Sequence, residues 1–210
     1  SLDVSNNAVL SEINCCYNLL TSLDVSGATA LTELWCWDNQ LTSLDVSNNT
    51  ALIDLRCDYN QLTSLDVSYN TALTVLGCDY NQLTTLDVSN NTALTQLKCD
   101  NNQLTTLDVR NGNNISLEAL LCNSNPNLSC INVDDAAWST TNWTDTNYYD
   151  IDPQHYFSNN CSGTTSIQEH TTNKELLKVT DLLGRETKQT NQPLFYIYDD
   201  GTVEKRIVIE

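Results

Sequence analysis

Leucine, valine and cysteine recur along the first part of the chain in a pattern that returns at one fixed interval, with polar residues between them. Leu31, Leu34 and Cys36 are followed by Asn39 and Leu41. Leu44 and Val46 then precede Asn49, and the next unit opens at Leu52. Within each short stretch apolar and polar positions alternate, which is the period of a strand with one buried face. The asparagine closing each stretch suits a turn, because its side chain can bond the local backbone. A coil with one strand on each of two sides follows. At this interval Cys15, Cys36, Cys57, Cys78 and Cys99 share one column, and a two-residue insertion near Gly112 carries the phase to Cys122.

A lone coil buries too little apolar surface to offset the entropy of ordering its own backbone and side chains. Stacking resolves this. Neighbouring coils pair their backbones about 4.8 Å apart, and each inward side chain rests on its counterpart in the next coil. Cysteine is small, apolar and often buried, so its column reads as inert core. The alternative is a metal or redox ladder, but no CxxC or Cys/His ligand spacing accompanies the column. Cys16 falls one position later and is expected to be an exposed thiol.

The pattern LxxLxCxxNxL, as in Leu31, Leu34, Cys36, Asn39 and Leu41, resembles the leucine-rich repeat family. Its nested second half, through Leu41, Leu44, Val46 and Asn49, is similar to the bacterial 21-residue subclass, with Cys in place of one Leu. The resemblance covers residues 2–127. It implies a repeat solenoid of parallel β-strands, two short strands per coil, with little or no helix. The opening residues "SLDVSNNAVL" read as the second half of a repeat and lack the basic start of a secretion signal, so further coils and a signal are expected upstream.

Beyond Cys122 the phase is lost in a stretch rich in Trp, Tyr and Asn. The open end of a solenoid needs covering, so residues 128–163 are expected to form a cap in which Trp138 and Trp143 pack on the last coil and Cys130 bonds Cys161. Such a disulfide implies an oxidising compartment outside the cytoplasm. Residues 164–175 read as a polar linker. Three β-rich runs follow, at 176–183, 194–198 and 203–209, separated by turn residues, and predict a small antiparallel sheet.

That tail resembles the C-terminal sorting domain of type IX secretion cargo in the Bacteroidetes. The likeness is carried by Asp181, Gly184 and Arg185 in "DLLGRE", by Gly201 in "YDDG", and by Lys205, Arg206, Ile207, Val208 and Ile209 near the end. It implies export across the outer membrane from the periplasm, recognition by the translocon and its outer-membrane barrel shuttle, and a secreted or surface-held product.

Charge narrows the partners. The chain has 210 residues with 9 Lys or Arg against 27 Asp or Glu, a net charge of −18. Residues 165–210 hold six cations against eight acids, a net of −2, which leaves −16 for residues 1–164. Such a surface repels phosphate backbones, so nucleic acid is a poor partner. No apolar run approaches the roughly 18 residues of a membrane span.

Two outward faces carry candidate chemistry. On the cysteine side, Trp35, Trp37, Tyr17, Tyr59, Tyr80 and Arg56 are expected to form an aromatic surface suited to a glycan or protein ligand, or else merely to cover neighbouring loops. On the other side, Asp24, Asp45, Asp66, Asp87 and Asp108 line up, and carboxylates about 4.8 Å apart repel by roughly 0.9 kcal/mol even at the dielectric of water. Hydrogen bonds from hydroxyls or turn amides would offset that; the other option is Ca²⁺, whose ligands are such oxygens.

No nucleophile motif or phosphate-cradling glycine loop occurs, and His155 and His170 both lie in irregular polar segments. The expectation is a binding or adhesion protein without catalytic activity or cofactor. The alternatives are a spacer within a larger adhesin and a cation-binding solenoid.

Overall fold

The computed structural model describes residues 1–144 and 147–161 together with the strand backbones Leu176–Thr180, Pro193–Tyr198 and Val203–Ile207. Compact units span Ser1–Gly163 and Thr164–Glu210.

In the first unit, the cysteine side of each coil forms one parallel sheet of seven strands. In spatial order these are Glu12–Asn14, Glu33–Trp35, Asp54–Arg56, Val75–Gly77, Gln96–Lys98, Ala119–Leu121 and Tyr149–Asp150. Equivalent positions stack in register, so that Ile13, Leu34, Leu55, Leu76, Leu97 and Leu120 form one inward row. The last five of these are fully buried, as the alternation requires, because only the central residue of each short strand points inward.

The aspartate side is less regular. Leu2–Asp3 pairs with Leu23–Asp24, and a separate parallel sheet holds Thr85–Asp87, Thr106–Asp108, Cys130–Asn132 and Tyr156–Ser158. Among the described residues, 43–46 and 64–67 form no strand. Leu44 and Leu65 nevertheless stay buried at their equivalent positions, so the inward pattern survives where the pairing does not.

Asparagines bind the coils to one another. Asn60 donates from Nδ2 to the carbonyls of Cys57 in its own coil and Cys36 in the preceding one, both at 3.1 Å, while its Oδ1 accepts from the Leu41 amide at 2.9 Å. Asn81, Asn102 and Asn125 repeat this arrangement. Each therefore satisfies buried backbone groups that the turn would otherwise leave without partners.

All seven cysteines outside the disulfide are free thiols. Cys36, Cys57, Cys78, Cys99 and Cys122 are fully buried, and burial pushes the thiols of Cys57, Cys78 and Cys99 far up. Cys16 is half-buried rather than exposed, because its position on the outward side is overlapped by the neighbouring coil.

The sequence repeat ends near residue 127, but the coil stacking does not. Ile131 pairs with Leu107 and Asn132 with Asp108 on one side, Leu120 pairs with Tyr149 on the other, and Cys130 then pairs with Tyr156. Stacking demands only an apolar inward residue at the right register, which Ile131 and Val133 supply while fully buried. The loss of phase expected after Cys122 is thus a loss of spelling alone.

A short helix, Ala136–Asn142, interrupts these turns; the Asp135 carboxylate caps it by accepting the Trp138 amide at 3.0 Å. Trp143 is 5% exposed and joins the core. Its ring stacks on Tyr149 at 5.7 Å and meets Phe157 edge-on at 5.3 Å, with Trp138 6.2 Å away. Cys130 and Cys161 are disulfide-bonded.

The second unit contains an antiparallel sheet in the order Leu176–Thr180, Pro193–Tyr198, Val203–Ile207, with Ile197 opposite Val203 and Pro193 opposite Ile207. Lys205, Arg206 and Ile207 lie on its third strand. Asp181, Gly184, Arg185, Gly201, Val208 and Ile209 lie outside the described residues.

Candidate ligand-binding face

The outward residues of the seven-stranded sheet come from short strands, each ending beside a tight turn. That turn places a non-glycine residue at positive φ once per coil: Tyr17, Asp38, Tyr59, Tyr80, Asn101 and Ser124 have φ between 50° and 55°. Side chains at this point project from the sheet edge, which explains why Tyr17, Tyr59 and Tyr80 are 69%, 47% and 44% exposed.

The residues selected from sequence fall into three pairs rather than one cluster. Tyr17 meets Trp37 edge-on at 4.1 Å. Tyr59 stacks on Tyr80 at 4.2 Å with planes 9° apart. The Arg56 guanidinium sits 5.7 Å from the centre of the Trp35 ring, held there by a two-point pair with Asp54, Nε to Oδ1 and Nη2 to Oδ2, each 3.0 Å. Trp35 and Trp37 are half-buried rather than fully exposed.

Gly77 creates a feature that the aromatic pattern does not announce. Each equivalent strand position carries a side chain (Asn14, Trp35, Arg56, Lys98, Leu121), but here the chain is bare. A Cβ at Gly77 would lie 2.5 Å from Asp58 Oδ1, so the Asp58 carboxylate occupies the space that a side chain would fill. Asp58 in turn neighbours Asp79. Burial, a hydrogen bond with Asp58 and the charge of that group push the Asp79 carboxyl up to about 8, so Asp79 keeps its proton at neutral pH. Burial likewise raises Asp100.

A groove of about 200 Å³ results, with Gly77 in its lining, Arg56 and Lys98 on either side of it, and Asp58, Asp79 and Tyr59 beside them. Lys98 is exposed and makes no ion pair among the described residues. The repeat alignment puts Asp58, Asp79, Gly77 and Lys98 in their columns without marking them as a site. A glycine breaking a column of large residues, next to consecutive aspartates, is the signal the sequence offers for it.

On the opposite side, Asp24, Asp45, Asp66, Asp87 and Asp108 each accept, through Oδ1, the amide of the residue two positions on, at 2.8 to 3.1 Å. The hydrogen bonds from Ser47 and Ser68 hold Asp45 and Asp66 below the usual carboxylate range. Among the described residues no group of three or more His, Cys, Asp or Glu is arranged to hold a metal ion.

Two solved structures share this architecture. The functional domain of InlJ from Listeria monocytogenes, which includes a cysteine ladder, is 39% identical with a TM-score of 0.53 over 60% of this chain and 30% of its own. A leucine-rich repeat protein from Leptospira interrogans is 22% identical with a TM-score of 0.50 over 62% of this chain and 40% of its own. The first unit is a leucine-rich repeat solenoid. The chain spans less than half the length of either neighbour. No protein-family model matches it, and no curated protein matches it. No helix among the described residues of the solenoid or the tail is long and apolar enough to cross a membrane.

Proposed function

We propose that this chain is a secreted or cell-surface binding module that engages its ligand over the outward face of the seven-stranded sheet, without catalysis. The observation that carries this reading is the concentration of aromatic and charged side chains around one groove on a rigid, register-locked sheet. Repeat proteins use such extended surfaces for recognition. The likeness to the functional domain of InlJ supports the same reading. Measured by adhesion of beads coated with the chain to candidate surfaces, Trp35→Ala combined with Trp37→Ala is expected to abolish attachment. Unchanged attachment would make the coils a spacer whose binding function resides elsewhere.

For the tail we propose a type IX sorting signal that directs the solenoid through the periplasm to the translocon and its barrel shuttle. This rests on the ordered blocks Asp181 to Glu186, Tyr198 to Gly201 and Lys205 to Ile209 in the sequence. Deleting residues 205–210 in a type IX-competent host is expected to trap the protein in the periplasm. Normal secretion of the truncated chain would remove the signal from that segment.

A further inference from the structure

We propose that the groove beside Gly77 is a subsite for one neutral sugar ring of a glycan, an inference that rests on the binding-module reading above and names its ligand. The charges around the groove argue for neutrality. A basic side chain entering it meets Arg56 and Lys98, and an anionic group meets the Asp58 carboxylate. A polyhydroxyl ring meets neither conflict. One of its hydroxyls can donate to a carboxylate oxygen on the aspartate side while another accepts from the Lys98 ammonium, which has three donors and no ion-pair partner among the described residues.

Shape agrees with charge. The volume of about 200 Å³ admits one hexose ring and little more. Tyr59 lines the groove, and its ring is fixed by the stack with Tyr80, so it offers a pre-ordered flat surface to the C–H face of a sugar at low entropic cost. Gly77 is the specificity element: any side chain there drives into Asp58, displacing the acceptor and filling the space. A single ring has too few heavy atoms to bind tightly by itself, so useful affinity comes from several rings along the face.

The test is titration of the intact chain with neutral hexasaccharides (cellohexaose, maltohexaose, mannohexaose), with a hyaluronan hexasaccharide as anionic probe and hexalysine as cationic probe, at physiological salt. At least one neutral hexasaccharide is expected to bind. Tyr59→Asn, which keeps a residue tolerant of positive φ as Asn101 is in the next-but-one coil, and Lys98→Ala should each weaken that binding at least five-fold. Tyr148→Ala, an exposed aromatic in the cap, should leave it unchanged. Gly77→Ala should abolish it while far-ultraviolet circular dichroism stays as in the parent.

The inference is overturned if no neutral hexasaccharide binds, if Tyr59→Asn and Lys98→Ala bind as the parent does, or if only hyaluronan or hexalysine binds in a Tyr59-dependent way. Loss of adhesion in the Trp35→Ala, Trp37→Ala variant with no neutral sugar bound would remove the sugar subsite and leave the binding module standing. Adhesion indifferent to all these substitutions would remove both.

Discussion

Replacing Asn81 tests whether the coils are locked in the register described. Its Nδ2 donates to the carbonyls of Cys57 and Cys78 at 3.0 and 3.1 Å, and its Oδ1 accepts the Leu62 amide at 2.9 Å, all buried. In Asn81→Ala both carbonyls keep a partner, since Asn60 also reaches Cys57 and Asn102 also reaches Cys78. The Leu62 amide does not. One buried N–H left without an acceptor costs about 1–3 kcal/mol, and two lost hydrogen bonds add about 0.5–1.5 kcal/mol each, so a destabilisation of about 2–6 kcal/mol is expected. Asn81→Asp keeps the acceptor but points a carboxylate at the same carbonyl oxygens, and should be worse than Ala at neutral pH and recover as the pH falls. The assay is urea unfolding followed by circular dichroism and tryptophan fluorescence, with exposed Asn90→Ala as a control within about 0.5 kcal/mol of the parent. An Ala variant as stable as the control, or an Asp variant more stable than Ala at pH 7, would refute the reasoning.

Four further outcomes follow from particular groups. His155 has a side chain 1% exposed, with the Asp152 carboxylate 3.9 Å from its Nε2, and burial outweighs that charge and lowers its pKa below 6.5. The unfolded chain therefore takes up the proton more readily, stability falls as the pH drops below about 6.5, and His155→Leu should flatten that part of a melting-temperature profile. Asp79 is raised from 3.8 to about 8, so folding retains a proton that the unfolded chain releases, and stability falls as the pH rises from about 4 to 8. Asp79→Asn, which imitates the protonated carboxyl, should melt at higher temperature than the parent at pH 9. Opening the 31-residue Cys130–Cys161 loop with paired alanines should cost about 3–4 kcal/mol by chain entropy, read as early loss of the Trp143 near-ultraviolet signal. Because each aspartate of the long column is already engaged by a backbone amide, calorimetric melting is expected to be the same with millimolar Ca²⁺ as with a chelator; a rise of several degrees with Ca²⁺ would mark a cation site.

The solenoid was legible because its core is written in a period: inward Leu34, Leu55, Leu76 and Leu97 recur at one interval along the chain and pair in space at that same interval. The disulfide and the burial of Trp143 followed from the need to close an open stack. Features that periodicity does not encode were hidden. The turns through Cys130–Asn132 and Tyr149–Asp150 continue the sheets with different residues, and register can be kept by any apolar side chain of suitable size. The groove arises from what is absent at Gly77, and the raised pKa of Asp79 comes from burial and from Asp58 of the preceding coil beside it. Neither is a property of one coil. Both need two neighbouring coils in space before they exist.

Thiol accessibility tests the stacked register most directly. Of the seven free cysteines, Cys15, Cys36, Cys57, Cys78, Cys99 and Cys122 face inward and Cys16 is half-buried. Alkylation with iodoacetamide under native conditions, mapped by mass spectrometry, should modify Cys16 alone at an appreciable rate, with the other six labelled only after denaturation. Rapid native labelling of Cys57 and Cys78 would place them at the surface and contradict the account.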